Sequence, residues 1–325
     1  MREIVIPGVG PKIPVLGFGC SGLTGTNRKD AVHLLETAFG AGVRHFDVAR
    51  YYGYGEAEGI LGTLVKTHRS EMTITTKFGI QPPRRTSAVG IAIKAARRFV
   101  QFLPPARRFV QRRANVLVKS GAFGVSDARQ SLETSLRELS TDHVDFYLLH
   151  DYAVAGHLSA ELLRFLENAV TSGKIRYFGL ATGIDNILRG LESQPELCNV
   201  VQFENSVLAR NTKRLPRQAS NQLVITHGSL GASYRSVVAF LKANRDAAKQ
   251  WSAKLGVDCS NNDMIAALML NYAVEANPNG LVLFSSKSSA RVTKNIQSAL
   301  DSDLSTAQVD LFEHLVEQDS VPLIP

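Results

Sequence analysis

The chain has 325 residues, 44% of them apolar, and a formal net charge of +8. That length suits one barrel or two smaller domains, with apolar surface enough for a large core, and no run reaches the roughly 18 apolar residues of a membrane span. The charge is uneven: Gly79 to Ser126 holds ten Lys or Arg and no Asp or Glu, leaving 27 of the 37 basic residues against all 29 acidic ones elsewhere. Cys20, Cys198 and Cys259 are odd in number and lack metal-ligand spacing. They are expected to be reduced thiols in a cytoplasmic protein with no metal site, Cys20 being buried and inert.

In chain order, MREIVIPGVGPKIPVLGFG is punctuated by charge, Gly and Pro. It is expected to form a short hairpin, REIVI then KIPVLG, capping the floor of the fold, and not a signal peptide. Apolar runs then predict strands at Val15–Gly19, Val43–Ala49, Met72–Phe78, Val144–His150, Tyr177–Ala181, Val200–Asn205, Leu223–His227 and Leu281–Ser285. Helical periodicity predicts helices at Arg28–Gly40, Glu56–Thr67, Asp127–Leu139, Ser159–Ser172 and Ile184–Glu192. Tyr234–Leu255 and Asp263–Ala276 precede the eighth strand, and Ala290–Ala299 and Thr306–Gln318 follow it. Eight strands alternating with helices, with no break in composition, predict one α/β domain over 1–325, a (β/α)8 TIM barrel.

Gly17-Phe18-Gly19-Cys20-Ser21-Gly22 matches G-x-G-x-x-G, the outline of a Rossmann dinucleotide site. In that motif the helix opens within the glycine loop, so that its N-terminus meets the pyrophosphate. Here helical periodicity starts only near Arg28, and Asp47 lies beyond the expected ~20 residues. No Tyr-x-x-x-Lys pair occurs anywhere in the chain. The barrel accounts for more.

Four polar residues stand at or just past strand ends: Asp47 and Tyr52 in HFDVARYYG, Lys77 in MTITTKFG, and His150 in DFYLLHD. A charge or imidazole there is costly unless it is paired or used, and in a parallel barrel such ends converge on the catalytic rim. A tyrosine of pKa about 10 is a poor acid at neutral pH. A neighbouring lysine favours the phenolate, an aspartate holds the lysine charged, and a histidine orients a carbonyl oxygen. Such a set can protonate a carbonyl oxygen while a hydride reaches its carbon. His45, His68, His143, His157 and His314 read as surface or packing residues.

The segments that carry these residues resemble the aldo-keto reductases nearly end to end. VLGFGCSG resembles the first strand of that family, and FDVARYYGYGEAEGILG its second strand and following helix, with Asp47, Tyr52, Glu58 and Gly62 in register. ITTKFG, DARQSLETSLRELSTDHVDFYLLH and GKIRYFGLAT follow in family order. The resemblance implies an NADPH-dependent oxidoreductase acting on an aldehyde, ketone or alcohol of small size. Tyr52 would be the general acid/base, Lys77 and Asp47 its tuning pair and His150 the orienter. LVLFSSKSSARVTKNIQSA resembles the eighth strand and phosphate turn of the family. By that resemblance Ser285, Ser286 and Ser288 surround the nucleotide phosphates, Arg291 faces the 2′-phosphate with help from Lys287, and Asn295 meets the adenine. Ala181, Thr182 and Gln202 stand where the family usually has Ser, Asn and Gln on the nicotinamide carboxamide. His227 stands where an aromatic residue stacks on the ring. Ala181 supplies no side-chain donor and Thr182 a single hydroxyl, which leaves open an NADPH-binding sensor or partner-binding module with little turnover.

The basic insertion, 79–126, is far longer than an ordinary βα loop. Ile91, Ala95, Phe99 and Leu103 follow helical spacing until Pro104-Pro105. Three readings stand: a lid whose cations attract an acidic substrate or the cofactor phosphates, a weak contact with an anionic membrane surface, or a packed or disordered surface segment. No recognised nucleic-acid-binding fold accompanies the charge, so no nucleic-acid partner is expected.

Overall fold

The computed structural model describes residues 2–10, 12–25, 27–82, 120–155, 158–216, 222–300 and 304–323. Strands β1 (Glu3–Ile4) and β2 (Ile13–Pro14) pair antiparallel, as the N-terminal pattern predicts. Then come β3 (Leu16–Gly19), β4 (His45–Asp47), β5 (Thr73–Phe78), β6 (Val144–His150), β7 (Ile175–Ala181), β8 (Val200–Glu204), β9 (Leu223–His227) and β10 (Leu281–Phe284). These eight are parallel, in sequence order, and β10 closes on β3 to make a barrel. The G-x-G-x-x-G stretch runs from β3 into a 3₁₀ turn, Cys20–Gly25, and opens no α-helix.

The helices are α1 (Arg28–Gly40), α2 (Ala57–His68), α3 (Val125–Leu139), α4 (Ala160–Thr171), α5 (Ile184–Ser193), α6 (Ala232–Ala243), α7 (Arg245–Leu255), α8 (Asn262–Glu275), α9 (Ser289–Leu300) and α10 (Thr306–Gln318). The stretch expected as one helix over Tyr234–Leu255 is two, because Asn244 leaves the helical region at φ −118° and ψ 78°. Its backbone N–H and its Nδ2 both donate to Phe240 O at 2.9 Å. The first is the last i→i−4 bond of the helix, and the side-chain amide adds a second donor to the same carbonyl. The bend packs α7 against α10, where Trp251 meets Phe312 edge-on and its Nε1 donates to Asp319 Oδ2 at 2.8 Å.

The hairpin covers the barrel floor. Tyr177 Oη donates to Pro7 O at 2.6 Å, and Arg2 Nη2 to Val274 O at 2.8 Å. Beside it, the buried Asp145 carboxylate accepts from Arg69 Nη2 (3.0 Å) and Ile74 N (2.8 Å) and is ion-paired with Arg176 Nε at 3.0 Å. At the opposite rim the basic insertion leaves and returns at adjacent points. Ala122 N donates to Gly79 O at 3.0 Å, and Gln81 Nε2 to Asp127 Oδ1 at 2.7 Å. Gly79 has φ +106°, and the Phe123 ring occupies the space a Cβ would need. The expected helix through Ile91, Ala95, Phe99 and Leu103 lies outside the described residues. Among the described residues no helix is long and apolar enough to cross a membrane.

His45 is buried inside the barrel, its Nδ1 2.9 Å from Thr73 Oγ1 and its Nε2 3.3 Å from Thr75 Oγ1. Two hydroxyls satisfy a neutral ring without supplying charge, and burial lowers its pKa to about 4. The unfolded chain therefore takes up a proton here that the folded chain refuses. Stability is fully present above the ordinary histidine pKa and falls as pH drops from about 6.5 towards 4, by up to about 1.4 kcal/mol per pH unit. Urea midpoints at pH 7 and pH 4.5 will show this fall, and His45→Gln will flatten it.

Candidate active site

Asp47 ends β4 and Lys77 sits one residue before the end of β5, so the parallel register brings both to the same rim. The Lys77 ammonium donates to Asp47 Oδ1 (2.6 Å), Asp47 Oδ2 (2.7 Å) and Val48 O (3.1 Å), which uses all three protons. Gln202 Nε2, from β8, donates to Asp47 Oδ2 at 2.9 Å. Burial lowers the Lys77 pKa, and the Asp47 carboxylate opposes that shift.

Tyr52 lies in a 3₁₀ turn, Tyr52–Gly55, just beyond β4. Gly53 and Gly55 take φ +61° and +87°, and these left-handed glycines let the chain double back so tightly. Lys77 Nζ lies 5.2 Å from the centroid of the Tyr52 ring. His150, at the end of β6, meets the Tyr52 ring edge-on at 6.1 Å and the Tyr51 ring at 5.2 Å. All four predicted rim residues are thus brought together, with one difference from the expected pattern. Lys77 faces the tyrosine ring while its protons are held by Asp47 and Val48. Burial, and then Asp47, keep the Tyr52 phenol well above its ordinary pKa. The His150 pKa is lowered to about 2 by burial, with Lys77 and His227 adding to it. At working pH the site therefore holds a protonated phenol beside a neutral imidazole, the forms that donate a proton and orient an oxygen.

Two further groups were assigned no role from the sequence. Glu58, fully buried on α2, is ion-paired with Arg50 at 2.5 Å and accepts from Thr76 Oγ1 at 2.7 Å. It ties the turn bearing Tyr52 to the strand bearing Lys77. Asp151, immediately after His150, is a non-glycine residue at φ +54°, and its N–H donates to Ala181 O at 2.8 Å. An acidic residue directly after a strand-end histidine was the cue available for Asp151. Cys20 is buried beneath this site, and burial raises its thiol pKa, as expected of an inert thiol.

The residues assigned to a nucleotide form a second group on the same rim. Gln202 Oε1 is buried with no hydrogen-bond partner, which suits an amide N–H₂ group. Thr182 N donates to Gln202 O at 3.0 Å, while Thr182 Oγ1 accepts from Asn186 Nδ2 at 3.2 Å and keeps its own proton free to donate. Ala181 pairs with His150 in the sheet and has no side-chain donor. His227 ends β9, exposed at the mouth, and what desolvation it suffers lowers its pKa. Between β10 and α9, Ser288 N and Arg291 Nε both point to Ser286 Oγ, at 3.2 and 3.4 Å. The Lys287 stem approaches Gly22. Ser285, Lys287 and Arg291 are exposed, and Asn295 is half-buried on α9. Hydroxyls and a guanidinium at the N-terminus of a 12-residue helix fit a phosphate-bearing ligand.

The model of the aldo/keto reductase family matches residues 15–317. The chain belongs to that family. It is similar to a probable aldo-keto reductase 1 of Glycine max, 26% identical over 208 residues covering 62% of this chain and 51% of the relative. It is also similar to a D-threo-aldose 1-dehydrogenase of a Pseudomonas species, 23% identical over 320 residues covering 89% and 90%. The chain spans about half the length of several curated relatives it matches. Among solved structures, an aldo-keto reductase from Klebsiella pneumoniae in complex with NADPH shares the fold with a TM-score of 0.66, 19% identity and coverage of 100% and 98%.

The pair of Asp47 and Lys77 is the energetic centre of this family member's rim. Lys77→Met leaves a buried carboxylate with one amide donor, an expected loss of about 3–5 kcal/mol. Asp47→Asn with Lys77→Met together should cost less than the sum of the single changes, since neither then strands a charge. Denaturant midpoints for the three variants check both statements.

Proposed function

We propose that this chain, acting as one barrel unit over 1–325, is an NADPH-dependent oxidoreductase. It reduces an aldehyde or ketone to an alcohol, or runs the reverse oxidation. The observation that carries this is the convergence of Tyr52 and His150 beside the Lys77–Asp47 pair, with the unpaired Gln202 Oε1 reaching the same pair from β8.

When bound, NADPH supplies the hydride. Gln202 Oε1 and the Thr182 hydroxyl would hold its carboxamide and His227 would flank its ring. Ser285, Ser286, Ser288 and Arg291 would take its phosphates, and Asn295 its adenine. Neutral His150 donates a hydrogen bond to the substrate carbonyl oxygen and fixes its direction. Tyr52 Oη gives its proton to that oxygen. The lysine over the ring face then stabilises the phenolate left behind, because a cation favours the ionised form of a neighbouring acid. Relatives named as a D-threo-aldose 1-dehydrogenase and a 6-dehydroglucose reductase support chemistry in both directions.

Tyr52→Phe removes the transferable proton and nothing that touches the nucleotide. Turnover with a panel of aldehydes should fall by about 10³-fold or more, while fluorescence titration finds NADPH affinity unchanged. A variant that keeps most of its activity overturns the role of Tyr52. A wild-type protein that binds NADPH and turns over no carbonyl favours the sensor reading.

Arg291→Ala should weaken NADPH binding about 10- to 100-fold, the loss of a charge-assisted contact. NADH, which lacks the 2′-phosphate, should bind the variant as it binds the wild type. Parallel titrations with both nucleotides decide this.

A further inference from the structure

His227 closes β9 at the mouth of the barrel, and the pleat fixes the side on which its ring stands. Gln202 on β8 and Ile225 on β9 are Cα partners, and the Gln202 side chain lies in the lumen against Asp47. Paired residues share a face and alternate residues return to it, so Glu204 and His227, the pair two residues further on, also face the lumen. His227 therefore stands about 6.6 Å beyond Ile225, on the strand next to the one that carries the free Gln202 Oε1. A Cβ on Gly228 would meet Glu204 Cγ at 2.8 Å and Oε1 at 3.2 Å, so the Glu204 carboxylate folds over the chain directly after His227. Among the described residues the imidazole has no hydrogen-bond or ion-pair partner, and its protonation is left to the charges around it. Desolvation is the largest influence and disfavours a proton on the ring, and Lys77 on β5 adds to it. Asp47 on β4, Glu204 on β8 and Asp151 after β6 pull the other way without prevailing. His150 on β6 is neutral, and β10, the other neighbour of β9, is an uncharged Leu281–Phe284. The ring is therefore neutral at neutral pH and takes up a proton only below the ordinary histidine value of 6.5.

We propose that His227 selects between the two redox states of the nicotinamide by its own charge: neutral, it lies against either, and protonated, it repels the cationic oxidised ring and leaves the reduced one bound. The inference rests on the reductase reading above, in which His227 flanks that ring. NADP+ and NADPH differ in charge only there, the ring being cationic when oxidised and uncharged when reduced. Their phosphates and adenine are the same, so titration of those groups cancels from the ratio of the two affinities. An uncharged aromatic residue at this position would lie against either ring without distinguishing them by charge. The sign follows from linkage: binding NADP+ expels the proton from His227, so affinity for NADP+ falls relative to that for NADPH as pH drops below about 6.5. In acid the site sheds the oxidised nucleotide and stays open to the reduced one.

The test is calorimetric titration of the full chain with NADP+ and with NADPH at several values between pH 8 and pH 5, and no turnover is needed. The wild type, His227→Phe and His227→Arg are compared. Phe keeps a flat ring and removes the titration. Arg keeps a planar group and holds its charge at every pH. In the wild type the ratio of Kd for NADP+ to Kd for NADPH is expected to be flat from pH 8 to pH 7 and to rise about threefold or more by pH 5, with at most about tenfold per pH unit for one proton. In His227→Phe the ratio should stay flat throughout. In His227→Arg it should stand about tenfold or more above the wild type at pH 8, where the wild-type ring is neutral. Asp151, whose pKa desolvation raises, is retained in His227→Phe, so any part it plays shows there. A pH-dependent ratio that survives in His227→Phe overturns the proposal, as does a ratio in His227→Arg equal to that of the wild type at pH 8. If the wild type binds both nucleotides with a ratio that does not change with pH, this inference fails and the reductase reading stands. If it binds neither at pH 8, both fail.

Discussion

The Lys77–Asp47 pair is the constraint on which the rim depends. Each ion loses several kcal/mol of hydration on burial, and attraction alone repays that only when the remaining donors and acceptors are satisfied. Here they are: the ammonium has three oxygens, and the carboxylate has the ammonium and the Gln202 amide. The pair therefore joins β4, β5 and β8, which are not all neighbours in the sheet. Shifting any of these strands by one residue would turn its polar group to the wrong face and strand a buried charge. Register at the rim is fixed by the same contacts that set its electrostatics.

Alternation along β5 extends this control outward. Lys77 points to the lumen, so its neighbour Thr76 points to the helix layer, where its hydroxyl meets Glu58. Glu58 in turn holds Arg50, two residues before Tyr52. One strand thus carries two polar anchors on opposite faces, one for the charge pair and one for the tyrosine turn. Close packing makes that geometry rigid: a Cβ at Gly62 on α2 would meet Glu138 O of α3 at 2.4 Å. Only glycine lets α2, and Glu58 with it, lie so near its neighbour.

Much of this was legible in the sequence, for reasons that differ by residue. Strand and helix positions follow from short-range patterns, and so do the four strand-end residues, because a polar group closing an apolar run is visible within seven letters. The break at Asn244 was not, since the residue is compatible with a helix and the end is seen only in its backbone angles, φ −118° and ψ 78°. His45 was read as a packing residue and is one, yet the two threonines that satisfy it come from a different strand. The role of Glu58 needs Arg50 and Thr76 together, contacts made only once the barrel closes. The direction of the Tyr52 shift also needed three dimensions. Adjacency to Lys77 suggests a lowered pKa, whereas burial beside Asp47 raises it.

That raised pKa bears on how the two halves of the site must cooperate. A phenol well above its ordinary pKa is a reluctant donor, so in the proposed reaction proton release would have to be coupled to charge developing on the substrate oxygen, within hydrogen-bond reach of His150. Geometry then matters more than acidity, and a substrate held at one point is a poor partner for such a site. At the proposed nicotinamide end, Ala181 offers no donor and Thr182 one hydroxyl, so orientation there would fall chiefly on Gln202. Positioning must be recovered elsewhere, from the phosphate turn on one side and from contacts near the carbonyl on the other.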